Sequence, residues 1–348
     1  MAGDPPTGQR PSLALLFKRR PRLRHRRGRS YPLVPPEVAG RSPDLAAELR
    51  AIDEVVFPVY ERFDQDALLH QNRYRRQQAG LILFGLLATA AGGLQAVDSD
   101  WTSAVGVAEA VLGAVLSVVA ARLRSQGEQR RYTHSRLTAE RLRGEGFLYL
   151  TRTGPYRAGG VPEELLRRRV GALAEEGAGE GPATGPATEE PHEPAGAGER
   201  SAPTGRDAAA LAVYRDCRLE DQRRYYGDTR VEYELASEAA GRLALALSLS
   251  TAAAGVATAV LGPDGGWVLP LVATIVPALA TALAGYAALY GFARLSKLYG
   301  DAEAALARLG GATADLELVA RAEEVMRREQ GQWGQFADEP PVAPGGGA

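Results

Sequence analysis

The residue with the clearest chemical claim on this chain is Glu109, which sits nine residues into WTSAVGVAEAVLGAVLSVVAA (101–121), a stretch with no other charge. A carboxylate at that depth of a bilayer costs about 2.5–3.5 kcal/mol on insertion scales, so it must face a bundle interior, a partner or a water path. Two readings compete. Copies of Glu109 could ring a cation-conducting pore in an oligomer, or the acid is neutral and hydrogen-bonded to Ser or Thr of a neighbouring span. Counting excludes much other chemistry. Cys217 is the sole cysteine, so there is no intrachain disulfide and no multi-Cys metal site. His25, His70, His134 and His192 never fall at i, i+3 or i+4, so no helix offers zinc a His pair. Lys18 and Lys297 are the only lysines and neither follows Gly, which removes a phosphate-loop lysine. With no nucleophile–base pair in view, no catalytic residue, metal or cofactor is expected, and the chain does not read as an enzyme.

The elements that must position Glu109 follow from the charge distribution. The chain carries 41 Lys+Arg against 42 Asp+Glu and a net charge of -1, averages that describe an ordinary soluble protein. Residues 79–121 and 243–293 nevertheless hold 94 positions without a basic side chain, where even scattering would place about 11. Four uncharged or nearly uncharged runs result: 79–97, 101–121, 243–261 and 267–291. Each is long enough at about 1.5 Å per residue to cross a hydrocarbon core of roughly 30 Å. Trp101 and Trp267 open the second member of each pair as interfacial rings. The linking loops, 98–100 and 262–266, carry acids only, whereas Arg73, Arg75, Arg76, Arg122, Arg124, Arg242, Arg294 and Lys297 flank the pairs. The fold expected is an all-α integral membrane protein of the cell membrane, with two transmembrane hairpins, both loops outward and both termini cytoplasmic. Small residues at four-residue spacing, such as Gly85, Thr89 and Gly93 or Thr251, Gly255 and Ala259, suit close helix packing. Pro270 and Pro277 are expected to kink the fourth span.

Outside the spans, 1–41 is Pro- and Arg-rich and reads as a disordered tail. Its basic run 18–29 could meet anionic lipid, and without interleaved aromatics it does not suit specific nucleic-acid recognition. A first helical two-transmembrane unit covers 42–175, opening at Ser42-Pro43-Asp44 and interrupted at Pro58. The segment 122–150 reads as a continuation of the second span, and Pro162 opens a further helix. A Gly/Pro/Ala/Glu linker spans 176–206. A second unit covers 207–330, with a break at Gly310-Gly311, and 331–348 is again tail. The plan repeats, and duplication of one unit is the hypothesis it raises.

Two stretches carry a resemblance. YRDCRLEDQRRYY (214–226) resembles the signature that leads into the hairpin of the SLATT superfamily, the two-transmembrane effector domains associated with SMODS and SLOG proteins. The matching positions are Tyr214, Arg218, Glu220, Gln222, Tyr225 and Tyr226, with Tyr225 where many relatives have Trp. YTHSRLTAERLRGEGFLYLTRTGPY (132–156) is similar to a segment of a related uncharacterised member through Arg136, Ala139, Glu140, Leu142, Tyr149, Pro155 and Tyr156. The resemblance implies a membrane effector that oligomerises into a pore or perturbs the bilayer in prokaryotic conflict, set off by a nucleotide-sensing or nucleotide-synthesising partner. The alternative is a non-catalytic scaffold or sensor whose cytoplasmic helices dock a soluble protein. From the residues alone, Arg218, Glu220, Arg223 and Arg224 need be no more than exposed helix pairs.

Overall fold

The computed structural model describes residues 12–18, 20–22, 32–94, 102–125, 127–157, 161–179, 205–261, 268–311 and 316–338. Helices, and no strand, occur among the described residues. After short helices α1 (Leu13–Leu16) and α2 (Pro36–Ala39), a 3-10 turn at Pro43–Leu45 leads into α3 (Ala46–Ala51). A π-helical turn, Ile52–Val56, then opens onto the 38-residue α4 (Phe57–Leu94). Next come α5 (Thr102–Ser125), α6 (Glu128–Thr151) and α7 (Pro162–Ala178). The second unit repeats this order. Helix α8 (Gly205–Tyr214) meets a π-turn, Arg215–Leu219, that opens onto the 42-residue α9 (Glu220–Leu261). It is followed by α10 (Val268–Tyr290), α11 (Phe292–Gly310) and α12 (Leu316–Asp338).

Local chemistry explains the joints. Pro58 would clash with the carbonyl of Glu54 in a regular α-helix; the widened turn at Ile52–Val56 lies there, and the helix passes on to Leu94 without the expected break. Pro270 falls in the first turn of α10, where the missing N–H has no intrahelical acceptor to lose. Pro277 lies inside α10, which continues through it. Gly127 at φ 62° and Gly291 at φ 58° stand between α5 and α6 and between α10 and α11. That left-handed backbone suits glycine, and it replaces the uninterrupted run expected after residue 121 with an elbow. Pro162 opens α7 with Glu163 and Glu164 in its first turn, a favourable pairing with the helix N-terminus. Ser42 makes no capping hydrogen bond.

Three corrections concern the ends of the units. Within the segment read as tail, residues 12–18, 20–22 and 32–41 are described, and Leu16, Leu33 and Val34 among them are buried in the core. Apolar residues interspersed among arginines have found grooves to fill. Helix α12 runs to Asp338, past the position where a tail was expected. Helix α7 reaches Ala178 and α8 begins at Gly205, within the segment read as linker; 180–204, both loops, Trp101 and Trp267 lie outside the described residues.

Helix α4 is the axis of the molecule and packs along α5, α6 and α10. Helix α9 packs along α10 and α11, while α12 lies across both α11 and the α6 of the first unit. One core cluster therefore runs through both units and includes Leu142, Phe147, Leu150, Tyr214, Leu306 and Met326. Three helices among the described residues are long and apolar enough to cross a membrane, with windows in α5, in the helix ending at Leu261 and in the one beginning at Val268. The shares of those windows buried by protein are 0%, 6% and 0%. The first expected span is described only as far as Leu94. Hydroxyls along these stretches bond back to their own helices: Thr89 to Gly85, Ser117 to Gly113, Ser248 to Ala244, Ser250 to Ala246, Thr251 to Leu247, Thr258 to Ala254 and Thr281 to Pro277. Such groups need no water. Within the single chain a Cβ at Gly85, Gly113 or Gly255 would meet nothing within 4 Å, so these three glycines are not points of close approach between its own helices.

Candidate functional site

The two stretches that carry the resemblance meet in space, below the apolar helices. The π-turn at Arg215–Leu219 turns three consecutive residues, Cys217, Arg218 and Leu219, into the interior. Arg218 is 0% exposed and binds both oxygens of Glu323 on α12, Nε to Oε1 and Nη2 to Oε2, each at 3.0 Å. Its third nitrogen, Nη1, donates to Glu140 Oε2 on α6 at 3.2 Å. Tyr214 donates its hydroxyl to Glu323 Oε1 at 3.0 Å. The other oxygen of Glu140 takes Arg136 Nη2 at 2.7 Å, and Arg136 Nη1 reaches Asp64 on α4 at 3.2 Å. Alternating charges thus run Asp64, Arg136, Glu140, Arg218, Glu323 across four helices and both units. Gly144 makes room for the centre of the chain, since a Cβ there would stand 2.9 Å from Glu323 Oε2.

Burial alone would raise the Glu140 carboxyl, but Arg136, Arg218 and Arg143 override it and hold the group at about 2. Burial disfavours the Arg218 cation, and Glu323 and Glu140 more than restore it, so its pKa moves up. Tyr214 moves well up, first through burial and then through the Glu323 charge beside it. Glu140 and Arg218 are therefore each held in the charged form that the other pairs with, which is the condition for a buried ion pair to persist.

Beside this chain lies an aromatic cleft. Tyr226 and Tyr299 stack at 5.5 Å between centroids, and Tyr225 meets Tyr299 edge-on at 6.0 Å. Tyr226 donates to Glu329 at 3.1 Å. The cleft, lined by Tyr132, Arg136, Gln222, Tyr225, Tyr299 and Glu329, holds about 60 Å³ of space, enough for several waters. Tyr225 is 40% exposed at its lip.

Among the residues singled out from sequence, Arg136, Glu140, Tyr214, Arg218, Gln222, Tyr225 and Tyr226 come together here. Glu220 does not: its carboxylate turns outward and binds Arg223 through two contacts of 2.8 Å on its own helix, as the plain helix-pair reading expects. Tyr156 lies elsewhere, donating at 2.6 Å to Glu145, which Arg169 of α7 also holds, so it anchors α7 on α6 within the first unit. Glu109 lies between α5 and α4, its carboxylate in the notch left by Gly92, where a Cβ would fall 2.8 Å from Oε1. Sequence reasoning missed Asp64, Tyr132, Glu323 and Glu329, and the role of Gly92. Ala-Glu occurs six times in the chain, so the pair by itself did not mark these sites; its alanine is buried at 139–140, 302–303 and 322–323. Each of these three glutamates meets an arginine: Arg218 for Glu140 and Glu323, and Arg230 at 3.0 Å for Glu303.

Comparison with known families bears on this arrangement. Residues 214–333 match the family model of the SMODS and SLOG-associating 2TM effector domain 1. Residues 214–333 carry a SLATT-superfamily domain. Residues 59–161 match a second model, a family of unknown function designated DUF4231. No curated protein and no solved structure matches the chain. The SLATT match begins at Tyr214, itself part of the buried cluster, and reaches beyond Glu323 and Glu329; Asp64, Arg136 and Glu140 belong to the other match. The ion chain is thus a contact between two family domains, and the apolar helices together with the SLATT domain mark a membrane protein with a membrane-associated effector domain.

Proposed function

We propose that the chain is a SLATT-type membrane effector that oligomerises through its apolar helices and forms a pore, or otherwise perturbs the bilayer, in a conflict or stress response. Its trigger is a nucleotide-sensing or nucleotide-synthesising partner protein, its two hairpins supply four spans, and its termini are cytoplasmic. The reading includes no catalytic step. The observation that carries it is the nearly complete lack of protein cover over the apolar windows, on helices whose hydroxyls are already satisfied internally. Such surfaces suit lipid or further copies of the chain as their solvent.

Helices α4 and α9 run without interruption from the buried cluster into the apolar stretches. A partner that displaced the cluster would move both by rigid connection. In the single chain Glu109 rests against Gly92; a small rotation of α5 would turn the carboxylate toward a neighbouring copy, where a ring of acids favours cations. The test is ion flux through liposomes holding the full chain, with candidate partners added. Wild type should conduct, and Glu109→Gln should lose cation selectivity. A second reading, a non-conducting scaffold or sensor, is favoured by the open lip of the cleft at Tyr225. Absence of flux under every partner condition, together with stable capture of one soluble partner by the full-length protein, would select it.

A further inference from the structure

The segment 12–22 falls in the stretch 1–41 expected to be loose chain, whose basic run 18–29 was open to anionic lipid and did not suit specific nucleic-acid recognition. The structure clasps it at two levels. Leu16 is 1% exposed, its carbonyl accepts the Tyr286 hydroxyl at 2.8 Å, and the Phe17 ring lies 5.5 Å from that of Tyr286. Lys18 then meets Glu232 of α9 at 2.8 Å. Further on, the backbone of Arg22 is held from both sides by one side chain of α4: its N–H donates to Asn72 Oδ1 at 2.7 Å, and its carbonyl accepts Asn72 Nδ2 at 2.9 Å. The strap therefore bridges the two units, touching α9 and α10 in one and α4 in the other.

The level of these contacts matters. Tyr286 stands just inside the basic-side end of the apolar run 267–291, and Asn72 precedes the run beginning at 79 by two helical turns, about 10 Å. The strap accordingly descends from the edge of the apolar zone to the depth of lipid phosphates. Its composition follows the same gradient. Leu13 and Phe17, one helical turn apart, are 55% and 52% exposed, an apolar pair with about half of its surface open at the apolar end, Phe17 also touching the Tyr286 ring. Arg20 and Arg22 are exposed at the other end, and Arg75 lies over the Tyr290 ring at 5.0 Å nearby.

The geometry points to a site for anionic lipid headgroups on residues 12–18 and 20–22, with Leu13 and Phe17 seated at the acyl boundary and Arg20 and Arg22 on the phosphates beneath. The inference rests on the membrane reading above and adds to it a lipid-charge dependence. Apolar and basic groups in this order fit an interface, where burial and charge attraction act together; a soluble polyanion would leave Leu13 and Phe17 in water. Because the guanidinium of Arg22 is not what the Asn72 clasp uses, its charge can be removed with the strap still held.

The test uses the full chain in nanodiscs of phosphatidylcholine, with and without phosphatidylserine. Leu13→Cys is labelled with a polarity-sensitive thiol dye; Cys217, buried and with its thiol pushed up by burial to about 11, stays unlabelled at neutral pH. Iodide quenching should fall several-fold in the phosphatidylserine discs, and Arg20→Gln/Arg22→Gln should restore the phosphatidylcholine value. Equal quenching in both discs, with the chain still disc-bound, would overturn the lipid site and leave the membrane reading standing. Protection by a soluble oligonucleotide in phosphatidylcholine discs, equal to that by phosphatidylserine, would assign the segment to nucleic acid instead. Failure of the chain to remain in any disc would overturn both.

Discussion

The two units of this chain use one backbone plan to hold different chemistry. Each enters its long helix through a π-turn, Ile52–Val56 in the first and Arg215–Leu219 in the second. Each leaves its second apolar helix through a left-handed glycine, Gly127 or Gly291. Corresponding features are offset by the same length of chain to within one residue, which supports duplication of one unit. The first π-turn nevertheless buries Ile52 and Val56, whereas the second buries Cys217, Arg218 and Leu219. Proline cannot be the general cause of the turn, since Pro58 follows the first and no proline follows the second. The turn belongs to the architecture, and the side chains it presents distinguish a unit that packs from one that also locks its neighbour. Their apolar helices differ in the opposite sense: the first pair carries Glu109, while the only acid of the second, Asp264, falls in the loop.

The comparison is broken most severely at Arg218. Replacing it with Ala leaves Glu323 buried without its cation and Glu140 with Arg136 as its remaining ion-pair partner, and removing one partner of a buried pair costs about 3–5 kcal/mol. Thermal or denaturant unfolding of the detergent-solubilised chain should show that loss, and a change below about 1 kcal/mol would mean the cluster does not hold the units together.

Acid should separate the units next. The folded-state pKa of Glu140, about 2, lies below its ordinary value of 4.5, so its stabilising effect is fully present above pH 4.5 and is lost as pH falls toward 2. The linkage amounts to roughly 3 kcal/mol. In a stability–pH series, Glu140→Gln should be the less stable protein at neutral pH, and the gap from wild type should close across that acid window. A gap that stays constant to pH 2 would contradict the assignment.

The smallest effect sharpens the likeness. Gly127→Ala and Gly291→Ala each force a side chain into left-handed backbone, at about 1–2 kcal/mol. If the elbows are equivalent, the two losses measured by unfolding should agree within experimental error, whereas a loss at one elbow only would remove that equivalence.

Much of the plan was legible in the chain, because bare runs of apolar residues leave a signal that needs no partner to interpret. The motif residues were legible as a set, but not as a contact. Arg218 and Glu220 look alike in sequence, two charged residues on one helical stretch, yet the π-turn takes the first inward while the second remains on the surface. Glu323 lies 105 residues from Arg218, and nothing local in α12 distinguishes it from Glu324, which pairs outward with Arg328. The docking of Leu16 was hidden because five apolar residues beside arginines have no periodicity to read.

Sequence by itself determined where lipid-compatible helices occur and that basic residues flank them, since hydrophobic length and charge spacing are properties of consecutive residues. Tertiary structure alone decided which charges pair across the two units, that Glu109 rests on Gly92, and where the strap lies. These depend on which surfaces of distant helices come within a few ångströms of one another. Hydrogen bonds act only over those distances and ion pairs weaken as their charges separate, so no count along the chain contains them.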